Sequence, residues 1–561
     1  MKLVAKSNDN STKIRALINA IPLIEEREAS KYRLQASTLL SNLPVSHTKA
    51  YFLINLAKVD KANRESLLKQ AVHTASALGD NRALSFVFGA LGKEYEQRQK
   101  YQQALLATQQ AQNAAGQVFA AYDSLYQWQW LEGRIYREQG KTEKAKSAYL
   151  GAIASLQKIR ADVTQASKEQ QLDFQQEIEP IYRELLGLLL DENRPDLKQV
   201  LEISDLLQLA QIEDFFGDIC TEIRELINPQ EFLVRTNTAA ITSIVLPNQT
   251  HLIVQLPNGN RYHHQIDISA PQLTQLVEKW RYDLENPYSN QYLESSRSLY
   301  DLLLRPLENT LESAKPKTLV FIQDGVLRNV PLSALHDGKQ FLVEKYAIAY
   351  SLGLKLLTRS TSFSPEALTF GLTIAKPPFN EPLPEAMLET EQVREIMGGK
   401  RFLDEEFTSS NWQTQLENND YSVIHLATHG KFSGALENTF IQAYDRLVTL
   451  AEIERFLLKS QSPINLLTFS ACQTAAGNER SILGLAGVAI RSGVSSSLGS
   501  LWFVNDRSTS QLITRFYQHL QKEGISKAEA LRQAQLEQIK TSYAKSHPNV
   551  WSGFILLGNW T

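Results

Sequence analysis

The apolar residues of this 561-residue chain change their period once, at about residue 235, and that switch limits the fold more than any single motif. Upstream, apolar and small residues recur at helical spacing. From Thr238 onward they fall into short β-rich runs broken by Pro-Asn turns. Two kinds of core must therefore follow one another along the chain, helix on helix first and a sheet second.

The helical third repeats itself. Leu91-Gly92-Lys93-Glu94-Tyr95 is followed by Ala104 and Ala111, and Glu132-Gly133-Arg134-Ile135-Tyr136 by Ala145, Tyr149 and Ala152. In both segments the alanines lie 12 and 19 positions after the glycine, the spacing of a tetratricopeptide repeat, in which small residues let two antiparallel helices approach. The glycines are 41 apart rather than 34, so the helices must be longer than standard or carry an insert. Ala50–Val59 and Glu65–Leu78 read as earlier, degenerate units that stop at Gly79-Asp80. Such arrays stack into a curved surface that binds partner proteins or peptides, or serve as helical spacers. Helical pattern continues to 228 with a break at Glu192-Asn193-Arg194-Pro195.

Beyond the switch, three runs ending near Leu246, Leu256 and Ile266 predict an antiparallel meander, with helices at about 270–285 and 290–313. Strand candidates then alternate with helices: 318–323, 347–351, 367–374, 421–427, 464–469 and 496–504, with helices at 450–458 and 483–491 among the last three. Glu389-Thr390-Glu391 reads as a helix start, and the Trp551/Phe554/Trp560 cluster as a final strand closing the core. Alternation of this kind implies a mostly parallel, doubly covered sheet.

Composition narrows the function. Lys+Arg 58 against Asp+Glu 61 leaves a net charge of −3, so no field of one sign points to a nucleic acid or a membrane surface. The opening Met1–Asn10 is polar, and the longest apolar stretch, Ser481–Phe503, is interrupted by Arg491 and a cluster of serines. It reads as a buried helix–strand unit in a cytoplasmic protein rather than a membrane span. Cys220 and Cys472 stand 252 positions apart, which rules out a disulfide scaffold and a thiolate zinc site. No Walker A loop, HExxH, EF-hand loop or G-x-S-x-G elbow occurs, and no cofactor is expected.

Reactive groups in open α/β sheets sit beyond the carboxyl ends of strands. Three such ends carry Thr428-His429-Gly430, Ser470-Ala471-Cys472 and Val504-Asn505-Asp506. If the first two strands are parallel neighbours, ~4.8 Å apart, His429 and Cys472 emerge side by side. An imidazole can then take the thiol proton and return it to a leaving amine. The N–H groups of Gly430 and Cys472 could form an oxyanion hole. Asp506 has two readings, a substrate-binding carboxylate for a Lys or Arg side chain, or an N-cap for a helix from Ser508 to Leu520. His425, inside the same strand, reads as a core or supporting residue. Cys220, preceded by Phe215 and Phe216, reads as a packed, inert cysteine.

The motifs His425-Leu426-Ala427-Thr428-His429-Gly430, Phe469-Ser470-Ala471-Cys472-Gln473-Thr474-Ala475, Ser500–Asp506 and His547–Gly558, with Asp324–Leu335 upstream, resemble the CHAT-domain family. That caspase-like family is typically found with tetratricopeptide repeats in bacteria. The resemblance implies a cysteine endopeptidase related to caspases and separase, with His429 and Cys472 as its dyad. Family members span active proteases and proteins with no demonstrated activity. Many relatives carry two acidic residues where this chain has Asn505-Asp506, which weakens an acidic-pocket argument. The expected organisation is a tetratricopeptide-like array at 1–160, a helical connector at 161–228 and a caspase-like α/β domain at 229–561, its catalytic part at about 400–561. Expected partners are a protein or peptide substrate and a protein bound by the repeats; a non-proteolytic scaffold is the alternative. Loops near 375–390 and 431–441 are candidate self-cleavage sites.

Overall fold

The computed structural model describes residues 9–163, 174–216, 228–357, 366–433, 435–473, 481–541 and 547–561. Contacts divide the chain into two units, Met1–Pro195 and Asp196–Thr561. Cys220 lies outside the described residues.

The first unit is a helical repeat array. Its helices are α1 (Asn10–Ala20), α2 (Glu26–Ser41), α3 (His47–Val59), α4 (Arg64–Leu78), α5 (Asn81–Gln97), α6 (Tyr101–Gly116), α7 (Tyr122–Glu138), α8 (Thr142–Val163) and α9 (Glu179–Leu190). The small residues set the pairing distance. A Cβ at Gly92 would meet Thr108 Oγ1 at 2.6 Å, and one at Gly133 would meet the Tyr149 ring at 2.9 Å. Ala104, Ala111, Ala145 and Ala152 are fully buried. The long repeat has a simple source, since α5 and α7 run 17 residues each and Gln117–Ala121 joins the two pairs. Gly79, at φ +63°, ends α4 in the left-handed conformation that glycine adopts without strain, and the Asp80 side chain at once caps α5 by accepting from Ala83 N–H.

The second unit is a mostly parallel sheet domain. Its helices are α10 (Leu197–Phe216), α11 (Pro229–Thr236), α12 (Ala270–Glu285), α13 (Tyr292–Leu303), α14 (Glu308–Ala314), α15 (Leu342–Lys345), α16 (Glu385–Met397), α17 (Ser409–Asn418), α18 (Leu450–Leu458), α19 (Ser481–Ser492), α20 (Asp506–Leu520) and α21 (Lys527–Thr541). The meander is β1 (Thr238–Val245), β2 (Thr250–Gln255) and β3 (Arg261–Ile266). Then come β4 (Thr318–Ile322), β5 (Ala347–Tyr350), β6 (Ala367–Gly371), β7 (Gly399–Leu403), β8 (Val423–Ala427), β9 (Gly430–Lys431), β10 (Phe440–Gln442), β11 (Leu447–Thr449), β12 (Leu466–Gln473), β13 (Ser496–Ser500) and β14 (Phe554–Gly558). The path through the sheet is β11-β10-β9-β12-β13-β14-β5-β4-β1-β2-β3, with β8 also on β12 and β6 and β7 beyond it.

Ser481–Phe503 is the expected helix–strand unit, α19 and β13. Among the described residues no helix is long and apolar enough to cross a membrane. Trp551, Phe554 and Trp560 are buried around β14, as their spacing predicts. The Glu389 segment departs from its reading: α16 begins four residues earlier, at Glu385, and Glu389 is buried in its second turn.

Candidate functional site

Strands β8 and β12 are parallel neighbours, with Val423 opposite Leu466 and Leu426 opposite Phe469. By its sequence β8 ends in Thr428-His429-Gly430, but the chain does not leave the sheet there. It resumes as β9 on the same side of β12, where Gly430 is in register with Cys472. Between these two registered pairs one chain advances four residues and the other three, so one extra residue is accommodated at Thr428-His429. An extra residue of this kind bends a strand and re-aims a side chain. His429 therefore occupies a joint, and the sheet forks there: β8 has β6 as its other neighbour, whereas β9 has β10.

The joint is fixed through its backbone. Thr428 Oγ1 donates to Gln442 O at 2.5 Å, and Gln442 N–H donates to His429 O at 2.8 Å. That second bond makes Gly430 and Ile441 the non-hydrogen-bonded pair of the β9–β10 ladder, so the Gly430 N–H turns to the other side, toward β12.

The His429 ring is held by the chain leaving β6. Leu372 N–H still bonds Ala427 O, and then the segment 373–384 crosses the joint. Phe379 stacks on the imidazole with centroids 4.7 Å apart and planes at 13°. His429 Nε2 lies 2.6 Å from the backbone oxygen of Glu381. A carbonyl only accepts, so Nε2 carries the proton and, in the neutral ring, Nδ1 is the basic nitrogen. Burial lowers the His429 pKa from its ordinary value, with the Glu381 carbonyl opposing this in part. The crossing segment is itself tied down: Thr373 donates through N–H and Oγ1 to the Asp404 carboxylate, and Lys376 Nζ sits over the Tyr444 ring.

Asp506 is not the N-cap of the helix it begins. Asn505 is, its side chain accepting from Ser508 N–H. The Asp506 carboxylate turns to another helix and accepts from Glu385 N–H, the first residue of α16, at 2.8 Å. Burial raises its pKa above the ordinary carboxylate value, with Glu389 and Glu385 adding to the effect and the Glu385 bond opposing it. His429 and Asp506 thus hold opposite ends of one short stretch, 381–385.

One residue that sequence spacing misses lies behind the joint. His425 and Glu389 are both buried, and His425 Nε2 stands 2.9 Å from Glu389 Oε1. The other ring nitrogen, Nδ1, is 3.4 Å from the Tyr517 hydroxyl, which donates to Thr468 Oγ1 at 2.8 Å. Thr468 is the register partner of His425 on β12. Nothing in the sequence marks Glu389, because its partner is 36 positions away on another element. Among the described residues no group of three or more His, Cys, Asp or Glu side chains is placed to hold a metal ion.

A helical repeat array followed by a mostly parallel sheet, forked where a histidine meets a cysteine-bearing strand, defines the class of this protein. In this chain, residues 293–559 match the family described as the CHAT domain. The chain is 23% identical to human (Homo sapiens) tetratricopeptide repeat protein 28 over 47% of its own length and 13% of that relative's, and 24% identical to the Mus musculus protein over the same shares. The chain therefore spans only a small part of the relatives it matches. Among solved structures, it resembles a chain of the Saccharomyces cerevisiae separase–securin complex at 11% identity and TM-score 0.42, covering 98% of this chain and 53% of that one. The pro- and mature-domain complex of Porphyromonas gingivalis RgpB is matched at 10% identity and TM-score 0.32, over 52% and 76%.

Proposed function

We propose that the chain is a caspase-like cysteine endopeptidase with a His429–Cys472 dyad. The observation that carries the reading is the fixed ring of His429, whose Nε2–H is committed to Glu381 O beside the register pair Gly430–Cys472. Nδ1 of the neutral imidazole takes the Cys472 thiol proton, and the thiolate attacks the scissile carbonyl carbon. The developing oxyanion is met by the N–H groups of Gly430 and Cys472, which requires the Gly430 N–H to turn out of the β9–β12 ladder when substrate binds. The C–N bond then breaks, His429 gives its proton to the departing amine, and water hydrolyses the thioester to release the acid and restore the thiol. Throughout, the Glu381 carbonyl keeps the second ring nitrogen protonated and favours the imidazolium that forms.

In this reading Asp506 binds substrate through the carboxylate oxygen not used by Glu385, and selects a Lys or Arg side chain. Residues 1–160 bind a protein partner or the substrate itself and govern access, 161–228 connect, and 229–561 form the caspase-like domain of a cytoplasmic enzyme. A second reading, a non-proteolytic scaffold, is favoured by the relatives, which are named for their repeats rather than for a peptidase activity. Incubation with a peptide library, with and without Cys472→Ala and His429→Ala, separates the two. Cleavage after basic residues that both substitutions abolish is expected; cleavage that survives either one overturns the assigned roles. An iodoacetamide reaction of Cys472 no faster than that of Cys220 at neutral pH supports the scaffold.

A further inference from the structure

We infer that Glu389 is a positioning residue for His429, acting through helix α16. The inference rests on the reading of His429 as the base. Glu389 is 1% exposed, and fully buried His425 brings its Nε2 to 2.9 Å from Glu389 Oε1. A carboxylate taken out of water is costly unless partnered, and an apolar pair of similar volume would serve stability as well or better. A buried pair of this kind gives a defined setting of one element against another.

Here the element is α16, and it is set at three points. Glu389 meets His425 of β8 at 2.9 Å. Glu385 N–H meets Asp506 of α20 at 2.8 Å. On the third side the helix lies so close to β6 that a Cβ at Gly371 would stand 2.9 Å from the Thr390 methyl carbon. Four residues before α16 starts, Glu381 supplies the carbonyl that accepts from His429 Nε2, and two before that, Phe379 stacks on the same ring. The contacts close a ring that leaves β8 at His425, passes through Glu389 and α16, and returns to the same chain at His429. An α-helix turns 100° per residue, so a shift of α16 by a single residue would take Glu389 away from His425 and pull on the 381–385 stretch that carries the Glu381 carbonyl. The pair of buried groups therefore fixes which ring nitrogen of His429 bears the proton.

The test uses the full chain carrying Cys220→Ala, which leaves Cys472 as the only thiol. The tautomer of His429 is read from long-range nitrogen–proton NMR spectra, assigned by comparison with His429→Gln. The reactivity of Cys472 is read from the pH profile of its alkylation by iodoacetamide. We expect the Nε2–H tautomer in the parent. Glu389→Gln, which replaces the carboxyl group at nearly constant size, is expected to give mixed tautomers and an alkylation rate about tenfold lower at pH 7. His425→Gln, approaching the contact from the strand, should do the same, and Glu389→Asp should fall between. An Nδ1–H tautomer in the parent overturns the inference, as do parent-like spectra and profiles in folded Glu389→Gln and His425→Gln proteins. Failure of the peptidase reading is seen separately, as parent Cys472 alkylating no faster than Cys220 does in a Cys472→Ala protein, and leaves the tautomer measurement intact.

Discussion

Two histidines four positions apart on one stretch of chain have opposite surroundings. His425 sits where β8 is paired on both sides, fully buried, with a carboxylate at one nitrogen and a tyrosine hydroxyl at the other. His429 sits where pairing is interrupted, with a backbone carbonyl at one nitrogen and an aromatic ring across its face. Residue type alone does not separate them; the strand geometry does. In an unbroken ladder a side chain is committed to packing, while an extra residue between two registered pairs frees one to be aimed elsewhere.

The comparison breaks first at the ring itself. His429→Ala should lower peptide cleavage by about 10²–10⁴-fold, the usual worth of a general acid–base, whereas His425→Ala should leave a folded protein with a smaller loss. Steady-state kinetics on a peptide found by library screening would measure both, and equal losses would erase the distinction drawn here. Next in size is stability. Glu389→Ala leaves an imidazole buried opposite a void and should cost about 1–3 kcal/mol by denaturant unfolding. The double substitution Glu389→Leu/His425→Leu should cost less than Glu389→Ala alone, because neither group is then stranded. A double variant that is the less stable of the two would mean that the pair holds the fold together rather than setting α16.

The pH dependence follows from burial. Because the His429 pKa is lowered, the neutral base persists below the ordinary histidine value of about 6.5. Cleavage should therefore hold as pH falls to that point and decline only beneath it. Phe379→Ala, which uncovers the ring to water, should move the acid limb of the pH–rate curve upward toward the ordinary value. An unmoved limb would show that the stacked ring is not what dries the site. The smallest effect is expected at Asp506. Asn at this position keeps an acceptor for Glu385 N–H, so Asp506→Asn should shift stability by less than about 0.5 kcal/mol while abolishing any preference for Lys or Arg in the substrate. Because the Asp506 pKa is raised, folding favours its protonated form and the carboxylate opposes folding as pH rises through that range. The Asn variant should lack this dependence.

How much of this is legible in the sequence depends on distance along the chain. The meander and the alternation of strands and helices follow from periodicity and from the order of apolar runs. The adjacency of the His429 and Cys472 strands enters there only as a condition, which the register of β8 and β9 on β12 meets. The joint at Thr428-His429 does not, because β9, β10 and β11 are two or three residues long and too short to carry a period. The Glu389–His425 pair is silent for another reason: each residue has an unremarkable local context, and only the packing of α16 on β8 brings them together. Asp506 shows the limit of capping rules. Asn505 takes the local cap, and Asp506 serves a helix that begins 121 positions earlier.

The place of β14 has a consequence for how the protein is made. This strand, which follows the other described strands in sequence, lies between β13 and β5, antiparallel to one and parallel to the other, and it joins the two halves of the sheet. Close by, Trp560 Nε1 donates to Thr238 Oγ1 at the start of β1. A ribosome releases Cys472 and His429 well before residues 554–560. Until residues 554–560 emerge, the half of the sheet that carries the joint lacks β14 to dock against, and the two halves remain separate folding problems. Assembly of the candidate site into its finished domain thereby waits on residues 554–560.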